Sequence, residues 1–200
     1  MVSSEARRGW TLLRRAFNPV VIYLLTALLW SVFGLLSPTT PLHYKEYSLP
    51  LLAIEISGHL SFGLLAGAFT FDPVLALVCM GESLLIDVDH LPSALNLPVL
   101  PRLAHSVFFA LFTGVIVSYA LRREKRPDFR FLLVTIGGVF SHLSYDVLAG
   151  SGQFPILSPF YLGSYSFPYL SWILLEVGAC LANIGVAMRL RQKPTFAMHS

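Results

Sequence analysis

The stretch Leu84-Leu85-Ile86-Asp87-Val88-Asp89-His90 closes a long apolar run with two carboxylates and an imidazole. Placing one charge inside a bilayer costs at least ~2.5–3.5 kcal/mol, so ionisable groups at such a position usually have a partner or a function. On a continuous α-helix Asp87 and His90 share a face, whereas Asp89 points elsewhere. We therefore expect the helix to unwind here and the three side chains to converge. The alternative is a polar helix end that lies among the lipid headgroups.

The composition indicates an integral membrane protein. Of the 200 residues, 55% are hydrophobic and 12% are charged, with a mean hydropathy of +0.68. Ordinary soluble domains carry about 25% charged residues. No basic groove with interleaved aromatic residues suits nucleic acid, so nucleic acid is not an expected partner. Cys79 and Cys180 lie in apolar runs without Cys-x-x-Cys spacing, which predicts core residues instead of a disulfide.

Six apolar runs have the ~17–25 residues that a membrane-spanning helix needs. They lie near residues 20–36, 49–70, 73–90, 103–121, 131–148 and 167–188. Twelve of the 14 Lys and Arg residues fall before the first run, between the fourth and fifth, or after the sixth. Six spans put these three segments on one side, which the positive-inside rule makes cytoplasmic. The predicted fold is an all-α, polytopic membrane helical bundle of about six transmembrane helices, with both termini cytoplasmic.

The chain divides into three predicted parts. Residues 18–190 form a single transmembrane domain, and residues 191–200 form a cytoplasmic tail. Residues 1–17 form a basic N-terminal segment, in which Trp10, Leu13 and Phe17 accompany the arginines. This pattern is typical of an amphipathic interfacial helix. A disordered basic tail is the alternative.

The ionisable residues within the predicted spans lie centrally or in the outer halves, which predicts one polar pocket that opens outward. Glu55 with His59 and His142 with Asp146 are spaced four apart, so each pair shares a helical face. The candidate metal ligands are His59, Asp87, Asp89, His90, His105, His142 and Asp146. Mixed imidazole and carboxylate ligands suit zinc, manganese or iron better than calcium. Because seven ligands exceed the three or four that one zinc needs, either two ions bind or some residues orient the ligands.

Each of these residues also has a structural alternative. A membrane histidine commonly serves as a hydrogen-bonded packing residue, and Glu176 is expected to pair with a neighbouring helix. Arg102 can bind a lipid phosphate without catalytic purpose. The aromatic residues of the segment 150–168 suit the headgroup belt or a lipid-facing cleft. They are Phe154, Phe160, Tyr161, Tyr165 and Phe167.

Several motifs together resemble a known family. Three motifs occur in the order seen in membrane-bound metal-dependent hydrolases, which include LexA-regulated hydrolases of the bacterial inner membrane. They are Leu-Ile-Asp-Val-Asp-His-Leu-Pro at 85–92, Arg-Leu-Ala-His-Ser at 102–106 and Ser-His-Leu-Ser-Tyr-Asp at 141–146. Gly58-His59 with Gly63 is similar to the family's early histidine. Gly150 and the stretch 155–160 resemble its later Gly- and Pro-rich segment.

The resemblance covers roughly residues 54–160 and has departures. The family often has a His before the Arg of the 102–106 motif and a Thr before its His. Pro101 and Ala104 stand at these positions here, so one possible ligand is missing. The family's own distant likeness to zinc-dependent phospholipase C is an analogy between helical proteins with similar ligands.

The resemblance implies a metal-dependent hydrolase that acts through a metal-activated water. Its substrate would be a lipid or lipid-linked phosphoester in the outer leaflet of a prokaryotic cytoplasmic membrane, with the active site on the extracytoplasmic side. Membrane lipid is thus both substrate and environment, and no oligomeric state is predicted. The expected cofactor is one or two divalent ions, with zinc preferred and manganese or iron as alternatives. The first-choice ligands are His59, Asp87, His90, His142 and Asp146.

The remaining polar residues receive catalytic or supporting roles. Asp89 and His105 complete a second metal site or act in acid–base catalysis. Arg102 would neutralise a phosphate, and Glu55 would be a base or a partner that orients His59. An alternative function is a metal-binding membrane transporter or sensor without hydrolytic activity. A third is a structural membrane protein that binds partners through its aromatic outer loop.

Overall fold

A computed structural model describes residues 4–34, 49–95, 97, 102–122 and 126–191. In this part of the chain the helices are α1 (Ser4–Phe33), α2 (Leu49–Ala68), α3 (Pro73–Leu85), a 3-10 helix (Ile86–His90), α4 (Leu91–Ala94), α5 (Val107–Ala120), α6 (Arg130–Leu148) and α7 (Ser171–Arg191). One short antiparallel pair joins β1 (Gln153–Phe154) to β2 (Tyr165–Ser166). The predicted all-α class is confirmed.

The long helices are those of a membrane protein. Among the described residues, three segments are long and apolar enough to cross a membrane: Gly9–Phe33, Arg130–Leu148 and Ser171–Leu190. Leu52–Ala68 and Val107–Ala120 are apolar but shorter. The helix α6 packs against α2, α3, α5 and α7 and is buried along most of its length. It is therefore the central helix of the bundle.

Small residues let the neighbouring helices approach α6 closely. A Cβ added at Gly137 would lie 2.5 Å from Nδ2 of Asn183 on α7, and one added at Gly138 would lie 3.1 Å from Cβ of Glu82 on α3. Close approach through small residues is a common way for helices to pack inside a membrane. These two adjacent glycines accordingly let α3 and α7 pack against neighbouring faces of α6.

The α-helix is interrupted after residue 85 as predicted, but by a tighter 3-10 helix and not by unwinding. The α-helix α3 begins at Pro73, where the Asp72 side chain accepts hydrogen bonds from the backbone amides of Val74 (2.8 Å) and Leu75 (3.2 Å). It ends at Leu85 and continues as the 3-10 helix. The tighter winding changes the directions in which Asp87, Asp89 and His90 project, because a 3-10 helix has 3.0 residues per turn instead of 3.6.

Three predicted boundaries need correction. The helix α1 runs without a break through Pro19, so the described part of the N-terminal segment is helical and continuous with the first span. The helix α5 begins at Val107 instead of residue 103, because Ser106 caps it by accepting a hydrogen bond from the Phe109 amide (3.0 Å). The helix α7 begins at Ser171 instead of residue 167, because the preceding residues pair with β1 and the Phe167 amide donates to the Gly152 carbonyl (2.8 Å).

The basic residues and the predicted ligands lie at opposite ends of α6. At its first turn, the Arg189 guanidinium of α7 lies 5.9 Å from the ring centroid of Phe129. The Asp128 amide donates to the carbonyl of Ser118 near the end of α5 (3.0 Å). Asp146 follows Arg130 by 16 residues, which is roughly 24 Å along the helix axis. The basic segments on α5, α6 and α7 thus meet at one end of the bundle.

Candidate metal centre

The structure brings all seven predicted ligands into one cluster. Four segments of the described chain supply them: α2 carries His59, the 3-10 helix carries Asp87, Asp89 and His90, the turn before α5 carries His105, and α6 carries His142 and Asp146. His105 therefore precedes its helix, whereas the sequence predicted it in the first helical turn. Within the cluster, three overlapping groups of three residues have ligand atoms within 4.8 Å of one another.

The centre of the cluster is a pair of histidines between two carboxylates. Nε2 of His105 and Nε2 of His142 lie 2.8 Å apart. Each of these nitrogens is 3.5 Å from Oδ1 of Asp87 and 3.5 Å from Oδ2 of Asp146. Ligands about 2.0–2.1 Å from one tetrahedral zinc ion would be separated by ~3.3 Å, close to these carboxylate distances. The four imidazole–carboxylate distances are thus compatible with one coordination sphere, whereas the two Nε2 atoms lie closer together than such ligands would.

The other nitrogen of each histidine sets its tautomer. Nδ1 of His142 lies 2.7 Å from the Ser83 carbonyl oxygen, to which it can only donate. Nδ1 of His105 lies 3.3 Å from Oδ2 of Asp89, again an acceptor. These hydrogen bonds assign the Nε2 lone pairs of both neutral rings to the centre of the cluster. Two lone pairs that face each other repel unless a proton or a metal cation lies between them, so the donor set is compatible with a bound metal ion.

His59 completes the inner side of the cluster. Its Nε2 is 3.4 Å from Oδ2 of Asp87 and 3.6 Å from Oδ1 of Asp146. The His59 ring stacks on His142 with centroids 4.0 Å apart, and Tyr145 contacts it edge-on at 4.7 Å. His59 is buried. His59 therefore lies near one oxygen of each aspartate, and the central histidine pair lies near the other oxygen.

Asp89 and His90 form the other side of the cluster. Nε2 of His90 is 3.3 Å from Oδ1 of Asp87 and 3.3 Å from Oδ1 of Asp89. Oδ2 of Asp89 accepts a hydrogen bond from the Ala104 amide (2.7 Å). Asp89 is fully buried, which leaves it no open face toward a substrate. Its position suits a ligand or an orienting group better than the acid–base role that the sequence left open.

Arg102 holds Asp146 from outside the cluster. Its Nη2 pairs with Oδ2 of Asp146, and its Nη1 donates to the carbonyls of Ser151 (3.0 Å) and Gln153 (3.3 Å). The guanidinium also lies 4.8 Å from the ring centroid of Phe154. Both terminal nitrogens therefore contact protein acceptors, and the residue is placed to position Asp146.

Phe154 was wrongly predicted to lie in the headgroup belt. It is fully buried, and its ring stacks on His105 with centroids 5.9 Å apart. Pairing of β1 with β2 turns Phe154 inward, because alternate residues of a strand point to opposite faces. Phe160, Tyr161 and Tyr165 are exposed, which fits the belt prediction for them.

The first helix supports the cluster, although it lies outside the stretch that carries the family resemblance. The Trp30 indole donates to the Leu103 carbonyl (3.1 Å), and the Ser31 hydroxyl donates to the Asp89 carbonyl (2.8 Å). Trp30 and Ser31, two adjacent residues with polar groups in the apolar second half of α1, were the available sequence signal. The Ser83 carbonyl and the Ala104 amide, which contact His142 and Asp89, are backbone groups, so their roles could not be predicted from side-chain types.

The cluster opens toward the lipid-facing surface. Asp87, Glu55 and His90 have side-chain exposures of 40%, 26% and 21%, whereas His105 and His142 are fully buried. Oε2 of Glu55 lies 3.9 Å from Nε2 of His59, at the edge of the opening. Ile54 and Leu91, the chain neighbours of Glu55 and His90, are exposed apolar residues. A ligand that reaches the cluster would therefore pass between apolar side chains.

Two other membrane carboxylates lie outside the cluster. Glu82 is fully buried, and its Oε1 accepts a hydrogen bond from the Thr135 hydroxyl (3.2 Å). Glu176 of α7 lies against Ser141 and Ser144 of α6, which agrees with the predicted pairing to a neighbouring helix. The seven ligands thus form a group distinct from these two acids.

Comparison with known proteins identifies an inner-membrane family. The model of the family described as YdjM inner membrane protein matches residues 55–199. No curated protein and no solved structure matches the chain. The matched region contains Glu55, Arg102 and all seven residues of the cluster.

Proposed function

The chain belongs to the YdjM inner membrane protein family. From the geometry of the cluster, we propose that it is a membrane-embedded metal-dependent hydrolase. The substrate we propose is a lipid or lipid-linked phosphoester in the outer leaflet. The observation that carries the proposal is the His105–His142 pair, whose Nε2 atoms lie 2.8 Å apart between two aspartates. A divalent cation would satisfy this arrangement, and hydrolysis is a common use of a divalent cation held by imidazole and carboxylate.

Five residues would hold the cation, through the atoms that converge on the centre of the cluster. They are His59, Asp87, His105, His142 and Asp146. A divalent ion bound there would lower the pKa of its water toward ~7 and so supply hydroxide at neutral pH. Zinc suits this ligand set, and manganese or iron are the alternatives.

Glu55 is the proposed proton acceptor. It combines partial exposure with a carboxylate oxygen 3.9 Å from His59, so it can meet both solvent and the cluster. In the hydrolysis, the water oxygen forms a bond to phosphorus and the bond from phosphorus to the leaving oxygen breaks. Glu55 takes the proton that water loses and returns it to the leaving oxygen, so that it ends unchanged.

Arg102 is proposed as a positioning residue for Asp146 instead of a phosphate-binding residue. Its three contacts to Asp146, Ser151 and Gln153 use three of the five N–H groups of the guanidinium within the protein. Such partners hold a ligand in the orientation that the metal requires. The carboxylate of Asp146 would otherwise be free to rotate away from His105 and His142.

The surroundings of the opening favour a lipid substrate. The exposed apolar side chains of Ile54 and Leu91 lie next to Glu55 and His90 in the chain, at this opening. The basic residues Arg130 and Arg189 lie at the other end of the bundle, which the positive-inside rule places in the cytoplasm. The opening would then face the extracytoplasmic leaflet.

The test compares three variants of the full chain in detergent micelles. We expect the wild type to bind a divalent ion and to hydrolyse phospholipid. Glu55→Gln should retain the ion and lose most activity, whereas His142→Ala should lose both. Glu176→Gln, a buried acid outside the cluster, serves as the matched control. Full activity in His142→Ala would overturn the proposal, and metal uptake into proteoliposomes without lipid hydrolysis would favour the transporter alternative.

A further inference from the structure

We propose that the cluster holds two cations, with Asp87 between them, and that the second cation makes it a site for a phosphate group. The proposal rests on the proposed function for its first cation. The inner cation would contact His59, His142 and Asp146 together with one oxygen of Asp87. The outer cation would contact Asp87, Asp89 and His90 at the opening, and this second site is the new element.

The two carboxylate oxygens of Asp87 lie near different sides of the cluster. Its Oδ2 lies 3.4 Å from Nε2 of His59 on the inner side. Its Oδ1 lies 3.3 Å from Nε2 of His90 on the outer side and 3.5 Å from Nε2 of both His105 and His142 at the centre. One oxygen thus faces His59 and the other faces His90, which places the carboxylate to bridge two ions.

The buried carboxylate of Asp89 points to the outer site. Its Oδ2 is held by the Ala104 amide at 2.7 Å. Its Oδ1 is buried and accepts no hydrogen bond from the residues that the structure describes, although Nε2 of His90 lies 3.3 Å away. Leaving a charged oxygen buried without a partner is costly. A cation at this point would satisfy the oxygen.

The spacing around the outer site agrees with metal coordination. Nε2 of His90 is equally distant, 3.3 Å, from Oδ1 of Asp87 and from Oδ1 of Asp89. Ligands about 2.0–2.1 Å from one tetrahedral ion are separated by ~3.3 Å. Both measured edges therefore have the length that shared coordination of one ion requires.

The two sites differ in access. The inner ligands are buried, with side-chain exposures of 1% for His59, 0% for His142 and 6% for Asp146. The outer site includes Asp87 at 40% and His90 at 21%. The outer cation would accordingly exchange more readily with solvent and would meet the substrate first.

Charge indicates which substrate class this arrangement attracts. Three aspartates, Glu55 and Arg102 together carry a charge of −3 with the histidines neutral. One divalent cation leaves the site at −1, whereas two bring it to +1. A positively charged site attracts a phosphate group, and a neutral carboxylic ester or amide gains no comparable attraction. The second cation thus selects a phosphoester among the bonds that a hydrolase could cleave.

The test uses Mn²⁺ as the probe metal, because its electron paramagnetic resonance spectrum shows whether two bound ions lie close enough to couple magnetically. The full chain in detergent is titrated with Mn²⁺. We expect two ions per chain and an exchange-coupled spectrum, because the ions of two-metal sites lie about 3.5–4 Å apart. His90→Gln should bind one ion and give the six-line spectrum of isolated Mn²⁺. Glu176→Gln, the matched control, should still bind two.

Inorganic phosphate tests the charge argument with the same spectra. Addition of phosphate should change the coupled spectrum of the wild type and leave that of His90→Gln unchanged. A wild type that binds one uncoupled ion overturns the two-cation proposal and leaves the proposed hydrolase intact. Two coupled ions without any lipid hydrolysis would overturn the proposed function alone. If His90→Gln responds to phosphate as strongly as the wild type, the role of the outer cation is overturned. If His90→Gln fails to fold, the number of Mn²⁺ ions bound by the wild type still tests the two-cation proposal.

Discussion

The backbone carbonyl of Ser83 lies 2.7 Å from Nδ1 of His142 and so determines which nitrogen of that ring faces the cluster. The acceptor belongs to α3 and the ring to α6, so the contact joins two helices that pack side by side. A histidine whose outer nitrogen donates to a carbonyl keeps its inner nitrogen available as a ligand. The arrangement also fixes the ring against rotation, which prepares the inner site before any ion binds.

Removal of the His142 ring should abolish tight metal binding. We expect His142→Ala to lower the affinity for zinc by more than the ~10–100-fold that loss of an orienting partner costs, because a direct ligand disappears. Metal content after gel filtration and competition with a chromogenic chelator measure the effect. Wild-type metal content in this variant, together with loss of metal in Glu176→Gln, would assign the ion to another place.

Substitution of Arg102 should weaken metal binding indirectly. Arg102→Ala leaves Asp146 without its partner, and we expect zinc affinity to fall by ~10–100-fold. Arg102→Lys should recover only part of this loss, since a lysine cannot contact Asp146 and the two carbonyls at once. Chelator competition gives the affinities. Unchanged zinc affinity with weaker binding of inorganic phosphate would show instead that Arg102 serves the substrate.

A methyl group at Gly58 should displace the aromatic ring that covers His59. A Cβ there would lie 2.0 Å from Cζ of Tyr145, far inside van der Waals contact. We expect Gly58→Ala to lower the free energy of unfolding by about 1–3 kcal/mol, the usual cost of overpacking.

Gly9→Ala is the matched control for that substitution, because no described atom lies within 4 Å of its added Cβ. Alanine favours a helix over glycine by about 1 kcal/mol, so this variant should be as stable as the wild type or slightly more stable. Denaturant unfolding in mixed micelles compares the two. Equal stability of Gly58→Ala and the wild type would mean that Tyr145 moves without cost.

Loss of the Ser31 hydroxyl should loosen the attachment of α1 to the cluster. Ser31 donates a buried hydrogen bond to the Asp89 carbonyl at 2.8 Å, and such a bond contributes about 1 kcal/mol. We expect Ser31→Ala to lower both the unfolding free energy by that amount and the affinity for a second Mn²⁺. Ser61→Ala removes an exposed hydrogen bond within one helix and should change neither. An effect on stability alone would limit Ser31 to a structural role.

The composition and the polar residues within apolar runs were enough to predict the class of fold and most candidate ligands. Glu55 with His59 and His142 with Asp146 share faces simply because an α-helix repeats every 3.6 residues. The interruption of the α-helix before Asp87 was predicted from the same geometry, since an unbroken helix would have turned Asp89 away from Asp87 and His90. These are local relationships, which depend on a few consecutive residues and on the cost of charge in a membrane.

The contacts that decide the chemistry are not local. Arg102 reaches Asp146 across 44 residues, and Trp30 reaches Leu103 across 73. Whether Arg102 meets a phosphate or a carboxylate depends on where the β1–β2 pair places its carbonyls, and the inward turn of Phe154 depends on the same pairing. The sequence by itself determined which groups are costly to leave unpaired in the membrane. Only the packing of the helices decided which partner each of them has, because that depends on distances between segments far apart in the chain.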